Sequence, residues 1–350
     1  MYRRIFFYLA FVSLIAATGC HREAEVEEIV CDTDNAVTVA LRGSDIFTEI
    51  SLTPSPMVAP KRVVVPGGDG VFLLCRDSLF RYSALDGRRE FLYGRKGRAN
   101  NEYLDIWDFW VEDDAVCLFD VQADRLVRYS RDGAWLDSKM PLCPENPFQF
   151  VCRLDADHWI GKMNYRGEPD RTPMLGLFDN DFGFCGAVGE QKLLSGASSG
   201  YPFCPNREGV LFNAPFSHQI MQVTPDGSCY VKYKVDFPDG TLKLENYADE
   251  FALIAAYYTE CESQALSLMI QGVCEDGEYL GFRYVSSKRG TMLAVYDMQR
   301  KAAQCFNLQL PEGWTLSDAV LRDGKVYVVG FGDDEGASIW VADIAALLAQ

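Results

Sequence analysis

The stretch GRKGRANNEY, Gly94 to Tyr103, places three cations and two glycines in ten residues, a composition that could cradle phosphate. A P-loop needs Gly-Lys-Ser/Thr running from a strand into a helix. Here Lys96 precedes a glycine and a strand pattern follows, so a nucleotide cradle is excluded. Two readings stay open: a corner whose glycines serve turn geometry, and an anion contact by Arg95, Lys96 or Arg98. Other chemistry is sparse. The three histidines are His21, His158 and His218, too few and too scattered for a zinc centre of clustered imidazoles. GASSG at 196–200 fits the letters of G-x-S-x-G, but no helix pattern follows it, so no serine nucleophile elbow is visible.

The N-terminus bounds where any chemistry takes place. MYRRIFFYLAFVSLIAATGC carries Arg3 and Arg4, an apolar run from Ile5 to Ala17, then small residues and Cys20. That run is too short for a bilayer span of roughly 20 residues and has the layout of a secretory signal. Ala17-Thr18-Gly19-Cys20 resembles a bacterial lipobox, which implies cleavage after residue 19 and lipidation of Cys20. Residues 20–36, Cys20 followed by HREAEVEEIVCDTDNA, read as an acidic tether. His21 rather than Asp follows the cysteine, so the usual inner-membrane retention signal is absent. Acids near that cysteine accompany surface export in Bacteroidetes-type lipoproteins. The expected location is therefore the outer membrane of a Gram-negative cell, periplasmic or surface-exposed, with the membrane touched only through the lipid.

The formal net charge is −17, and loss of residues 1–19 makes it more negative still. A chain this acidic repels polyanions, which excludes nucleic acid as a partner. Aromatics at 13% and 29 glycines fit a large all-β core better than disorder. Of twelve cysteines, removing Cys20 leaves an odd number, so at least one is free or pairs with another chain. None forms C-x-x-C, and several lie in apolar runs such as VFLLCRD and DAVCLFD. They read as small core hydrophobes, with no metal site.

One pattern recurs: apolar strand, polar turn, strand, tight turn, strand. Copies start at Val71, Ala115, His158, Gly209, Glu278 and Lys325, separated by 44, 43, 51, 69 and 47 residues. A further strand precedes most copies, as in IWDFWVED, FQFVCRLD, SLMIQGVCED and LSDAVLRD. A period in the mid-forties with four strands per unit predicts a six-bladed β-propeller over 37–350. Asp-Gly at 86–87, 132–133 and 226–227 suits hairpin turns that need positive φ. The sixth unit runs out after three strands. One of AVTVAL and FTEISL, near the start, is expected to close the ring as its outer strand, since an open edge invites aggregation.

The gap of 69 residues holds an insertion. Tyr247, Phe251, Ile254, Tyr258, Cys261 and Ala265 follow helical spacing and predict an amphipathic helix near 245–265. Asn246 is the expected N-cap, with Asp249 and Glu250 in the first turn. Burial of the stripe on the propeller is the expected role; walling a pocket is the alternative.

GRKGRANNEY then joins the outer strand of the first blade to the inner strand of the second. It resembles the Gly-Arg-x-Gly-x-Gly-Pro-Gly-Glu-Tyr signature of a six-bladed β-propeller family of secreted, mostly Bacteroidetes-type proteins, similar in shape to NHL-repeat proteins. Gly94, Arg95, Gly97, Glu102 and Tyr103 match, and LDIWDFWVEDD follows as the family's next strand. Ala99, Asn100 and Asn101 replace Gly-Pro-Gly. The resemblance covers 37–345 and implies a surface or periplasmic binding module.

On such a ring, inter-blade linkers and second-to-third-strand turns build the channel-mouth face. The residues expected there are Arg76, Arg95, Arg98, Asp120, Arg125, Asn164, Tyr165, Arg166, Asn213, Phe216, His218, Arg283, Tyr284 and Arg289. Guanidinium groups take carboxylates bidentately and aromatic rings give flat contact. The leading expectation is a non-catalytic module for a small anionic ligand, glycan or peptide, or for a cell-envelope protein, without a cofactor. The competing reading of these arginines is structural, paired with Asp77, Asp124, Glu168 and Asp170. The alternative function is a calcium-dependent lactone or ester hydrolase like the gluconolactonase propellers, with Ca²⁺ on residues such as Asn164, Asn213 and Asp120.

Overall fold

Three Asp-Gly turns hold their glycines at positive φ: Gly87 at 70°, Gly133 at 84° and Gly227 at 82°. Each reverses the chain between the third and fourth strands of a repeat, and the strands they connect assemble into six separate sheets. The computed structural model describes residues 26–67, 70–123, 125–140, 148–163, 173–192, 201–214, 216–238, 240–243, 246–248, 250–260 and 266–350.

Three short strands come first: β1 (Glu27–Val30), β2 (Val37–Ala40) and β3 (Thr48–Ser51). Blade one follows as β4 (Arg62–Val64), β5 (Gly70–Cys75), β6 (Ser78–Ser83) and β7 (Arg89–Tyr93). Blade two is β8 (Ile106–Val111), β9 (Ala115–Asp120), β10 (Arg125–Ser130) and β11 (Trp135–Lys139). Blade three is β12 (Phe148–Arg153), β13 (His158–Met163), β14 (Pro173–Asp179) and β15 (Phe184–Lys192). Blade four is β16 (Phe203–Asn206), β17 (Gly209–Asn213), β18 (Gln219–Val223) and β19 (Cys229–Asp236). Blade five is β20 (Ser267–Asp276), β21 (Tyr279–Ser286), β22 (Gly290–Asp297) and β23 (Ala302–Gln309). Blade six has β24 (Trp314–Arg322), β25 (Lys325–Gly332) and β26 (Gly336–Asp343), and its fourth strand is β3. The protein is therefore the expected six-bladed propeller of four-stranded blades. The repeat starts read from the sequence fall on, or one residue from, the second strand of each blade.

The ring closes as expected, through FTEISL: β3 pairs antiparallel with β26, Ile50 opposite Ile339 and Thr48 opposite Val341. The other early segments are also strands. β2 adds to β23 in parallel, Val37 opposite Phe306, and β1 adds to β19 in parallel, Glu27 opposite Tyr233. This corrects the tether reading of 20–36 over its described part. Glu27–Val30 is a rim strand, and Ile29, Cys31 and Thr33 are buried. Net acidity hid a short alternation in which only Ile29 and Cys31 needed to face inward.

Outer strands also reach the next blade. The Tyr93 hydroxyl donates to the Arg131 carbonyl at 2.7 Å, and Thr53 N donates to Gly87 O at 2.8 Å. Apolar cores fill the spaces between blades. Phe72, Leu74 and Tyr93 of blade one meet Phe109, Leu118 and Tyr129 of blade two.

The insertion holds α1 (Glu250–Glu260), and Ile344–Leu348 is a short C-terminal helix, α2. The position of the insertion matches expectation, but the buried face differs. Leu253 and Tyr257 pack with Phe216, Leu242 and Leu266, whereas Phe251 and Tyr258 are about 70% exposed. Tyr247 and Ile254 of the expected stripe do pack there, so the buried face is that stripe turned toward Leu253 and Tyr257. Asn246 lies four residues before the first helical residue and is not its cap; Asp249, Cys261 and Ala265 lie outside the described residues.

Candidate functional site at the channel axis

Inner strands begin on the face that carries the inter-blade linkers, and two cations open the first of them. Lys61 precedes β4 and its ammonium donates to Ile106 O at 2.8 Å, 6.0 Å from the centre of the Trp107 ring. Burial pulls the Lys61 pKa down, against the opposing pull of Asp105 and Asp77. Arg62 points to the axis and is 7% exposed. It forms an ion pair with Asp108 of β8, which is fully buried. Its guanidinium carbon stands 3.4 Å above the Tyr201 ring, on the far side of the axis. Burial is the main influence on Arg62 and lowers its pKa, while Tyr201, Cys152 and Asp318 favour the charge. Blades one, two, three and six, with the segment leading into blade four, thus converge on one side chain.

Its surroundings hold it still. Asp108 accepts from Phe109 N at 2.7 Å and from Val151 N at 3.4 Å. Tyr201 donates to Val151 O at 3.0 Å and meets Phe150 edge-on. Opposite, Arg283 pairs with Asp318 at 3.0 Å. Among the described residues, the buried Nε of Arg62, the Nε of Arg283 and the Oγ of Ser317 have no hydrogen-bond partner. A buried donor left unpaired costs about 1–3 kcal/mol, although both guanidinium groups have their charge met by a carboxylate, Asp108 or Asp318. Chemically, the axis offers guanidinium donors over an aromatic floor, with Lys61, Trp107 and Phe150 at its rim.

The residues expected from sequence divide differently. Arg283 belongs to this axis cluster. Arg95 pairs with Glu102 at 2.7 Å, Arg76 is exposed beside Asp77 at 3.8 Å, and Arg98 is exposed. Asp120 is fully buried and accepts from Leu104 N, Asp105 N and Ala123 N at 2.8–3.1 Å. Arg125 lies 3.5 Å from Asp120 and donates to Ala99 O at 3.2 Å and to Glu102 O. Asp120 and Arg125 therefore fasten GRKGRANNEY from beneath. The decapeptide folds on itself through Gly97 N to Tyr103 O at 2.8 Å and Tyr103 N to Arg95 O at 3.1 Å. Glu102 also accepts from Ala99 N at 2.9 Å. A Cβ on Gly97 would overlap the Glu102 carboxylate, which explains the second glycine.

Asn213 is buried and donates to Ser217 O and Gln219 O at 3.3–3.4 Å, closing its own turn. Phe216, at φ 57°, packs against α1. His218 Nε2 lies 3.0 Å from Thr241 Oγ1. Tyr284 and Arg289 meet the N-terminal segment instead: the Tyr284 hydroxyl is 3.0 Å from Thr33 Oγ1, and Arg289 donates to Asp34 O at 2.7 Å. Burial raises the Tyr284 pKa. Asn164, Tyr165 and Arg166 lie outside the described residues, as do Cys20, Asp124, Glu168 and Asp170. No group of three or more His, Cys, Asp or Glu that could hold a metal occurs among the described residues.

Sequence reasoning missed Lys61, Arg62, Trp107, Asp108, Phe150, Tyr201 and Asp318. A signal existed, because Asp108 interrupts an aromatic inner strand, IWDFWV, where an unpaired carboxylate would be costly.

A family model described as a 6-bladed beta-propeller, DUF5128, matches residues 75–312. Among solved structures, a candidate exported protein of Bacteroides fragilis NCTC 9343 is 13% identical, with 90% of this chain and 98% of that one covered and a TM-score of 0.68. A DUF4221 family member from Bacteroides vulgatus ATCC 8482 is 10% identical, covering 85% and 95%, with a TM-score of 0.54. At these identities the likeness is one of fold. No curated protein matches the sequence.

Proposed function

We propose, from the premise that the chain belongs to the six-bladed β-propeller family DUF5128, that it is an extracytoplasmic, lipid-anchored binding module without catalysis. Its ligand is a small anion, an acidic glycan or an acidic peptide, received at the linker-side mouth of the channel. The observation that carries this reading is Arg62, buried at the axis against Tyr201, with its Nε unpartnered among the described residues. Buried guanidinium groups over aromatic rings favour carboxylate or phosphate oxygens through charge-assisted hydrogen bonds. Lys61 and Trp107 at the rim supply an entry cation and a flat apolar contact. The anchor is Cys20, on the pattern of residues 1–20, and the location is the outer membrane, facing the periplasm or the cell surface. The exported description of the Bacteroides fragilis structure supports a position outside the cytoplasm.

The test is a calorimetric panel of anionic glycans and acidic peptides against the wild type and Trp107→Ala, at low salt where attraction is strongest. Trp107 is partly exposed, so the variant keeps the fold. Binding by the wild type, weakened at least tenfold in the variant, is expected. No anion bound by the wild type, or equal binding by both proteins, defeats the reading.

A further inference from the structure

We infer that the outer edge of blade one, strand β7, docks an acidic, extended segment of a partner polypeptide, which joins the sheet as a further strand. The chain already covers two of its own outer edges in this way. β1 lies parallel on β19, and β2 lies parallel on β23. The strand added to β19 is acidic and meets cations: Glu28 lies 3.9 Å from Lys234, and Glu27 lies 3.9 Å from Lys301. The molecule thus contains one worked case of an acidic strand held on a cationic edge.

β7 offers the same two features, an open edge and unmatched cations. It is the last strand of its sheet. A single residue pairs with its first turn outward: Thr53 N donates to Gly87 O and Arg89 N to Thr53 O, both at 2.8 Å, as a parallel bridge. Pro54 has no N–H to extend that pairing, so Glu90–Tyr93 stay open among the described residues. Such an edge is a template for strand addition. Charge selects the guest. Residues 61–98 hold nine Lys and Arg against four Asp and Glu, a local net of +5 within a chain of −17. Arg88 and Arg89, where β7 begins, are exposed, and neither is ion-paired among the described residues. Glu90 does not offset them, because it pairs with Arg81 at 2.9 Å. Leu85 and Leu92 are 77% and 49% exposed, so the guest also brings an apolar side chain. The edge of β11 is apolar too, through Trp135 and Leu136, but its charges are met. Asp137 pairs with Arg128 at 3.0 Å and Lys139 with Asp181 at 3.3 Å.

The probe is a fluorescein-labelled peptide of residues 23–32, EAEVEEIVCD, with serine for its cysteine. It is titrated at low salt into the mature chain, whose own β1 already fills β19. Saturable binding is expected, with slower amide exchange along Glu90–Tyr93. Reversal of both charges, Arg88→Glu with Arg89→Glu, should weaken binding at least about tenfold, since each attraction becomes a repulsion. Lys139→Glu, on β11, should leave it unchanged. A second peptide with proline for Ile29 keeps the charge but cannot pair as a strand; it should bind at least about tenfold more weakly. The exchange and proline measurements use the wild type, so they stand even if the double variant folds poorly. The inference is overturned by an absence of binding, by equal binding of the proline peptide, or by full affinity in a folded double variant. The last two results move the peptide to another anion site, the channel mouth included. Equal binding of polygalacturonate makes the edge a general anion surface, and a wild-type dimer broken by the double variant assigns it to a second copy; either also overturns the inference.

Discussion

Gly87 and Gly227 occupy equivalent Asp-Gly turns at nearly the same φ, 70° and 82°, yet they face different surroundings. A Cβ on Gly227 meets nothing within 4 Å, whereas one on Gly87 would overlap the carbonyl oxygen of Ser51, at the end of the ring-closing strand. Gly227→Ala should therefore cost only the left-handed backbone penalty, about 1–2 kcal/mol. At about 2 °C per kcal/mol for a domain this large, the Tm falls about 2–4 °C. Gly87→Ala adds the displacement of residues 51–53. Three hydrogen bonds are then at risk: Thr53 N to Gly87 O at 2.8 Å, Arg89 N to Thr53 O at 2.8 Å and Leu52 N to Ala337 O at 3.0 Å. At about 1 kcal/mol each, the total reaches about 4–5 kcal/mol and the fall about 8–10 °C. Calorimetric melts of the two variants side by side measure the difference. Hydrogen exchange at the amides of Leu52, Thr53 and Arg89 should quicken only in Gly87→Ala. Equal melting temperatures, within about 2 °C, would refute the claim that this turn buttresses ring closure.

Three further outcomes are expected. A chain beginning at Pro54 loses β1, β2 and β3 and should melt without cooperativity or aggregate; a melt as sharp as that of the mature chain contradicts closure by β3. Lys162 is 1% exposed, donates to Gln149 Oε1 at 2.8 Å, and has its pKa pulled down by burial to about 8. Between that pH and about 10.5 the unfolded chain holds a proton the folded chain has released. The contribution of Lys162 to stability therefore rises with pH across that window, relieving a cost of roughly 3 kcal/mol that is in full force below it. Denaturant titrations should show the wild type gaining stability relative to Lys162→Met as pH rises from about 8 to 10.5, on top of a decline that buried thiols such as Cys75 and Cys117 impose on both; parallel profiles argue against it. Cys20→Ala should abolish palmitate labelling and release the protein from membranes, and unchanged retention rules out anchoring there.

The ring was legible because its signal is periodic: Val71, Ala115, His158, Gly209, Glu278 and Lys325 repeat one hairpin pattern, and glycines mark its turns. Blade six's missing strand was a matter of counting. Glu27–Val30 escaped because four residues with one buried apolar side chain carry almost no alternation, and because its partner strand is distant in sequence. The helix was found but its face misjudged. Ile254 was placed correctly, but Phe251 is larger than Leu253, and the docking surface formed by Phe216 and Leu242 decides which side is buried. The axis was harder to read. Arg62, Asp108 and Tyr201 come from three different linkers and strands, and their meeting depends on how far each blade is rotated about the ring. Arginine counts on loops led instead to Arg125 and Arg289, whose bonds go to the chain's own carbonyls.

The rim strands carry a consequence for how the protein is made. β1, β2 and β3 are synthesised first, but their partners, β19, β23 and β26, lie in blades four, five and six; Ser338 donates to Glu49 across 289 residues of sequence. At about 5–20 residues per second, these segments wait roughly 10–60 s for anything to pair with. They cannot nucleate the ring; they fasten it once the other blades exist. During that interval a bare strand is a template for intermolecular pairing. Glu27, Glu28, Asp32, Asp34 and Glu49 punctuate the waiting segments, and charges so placed act as gatekeepers against aggregation. The acidity that makes this stretch look like a tether is what keeps three late-pairing strands apart from their neighbours until the clasp can shut.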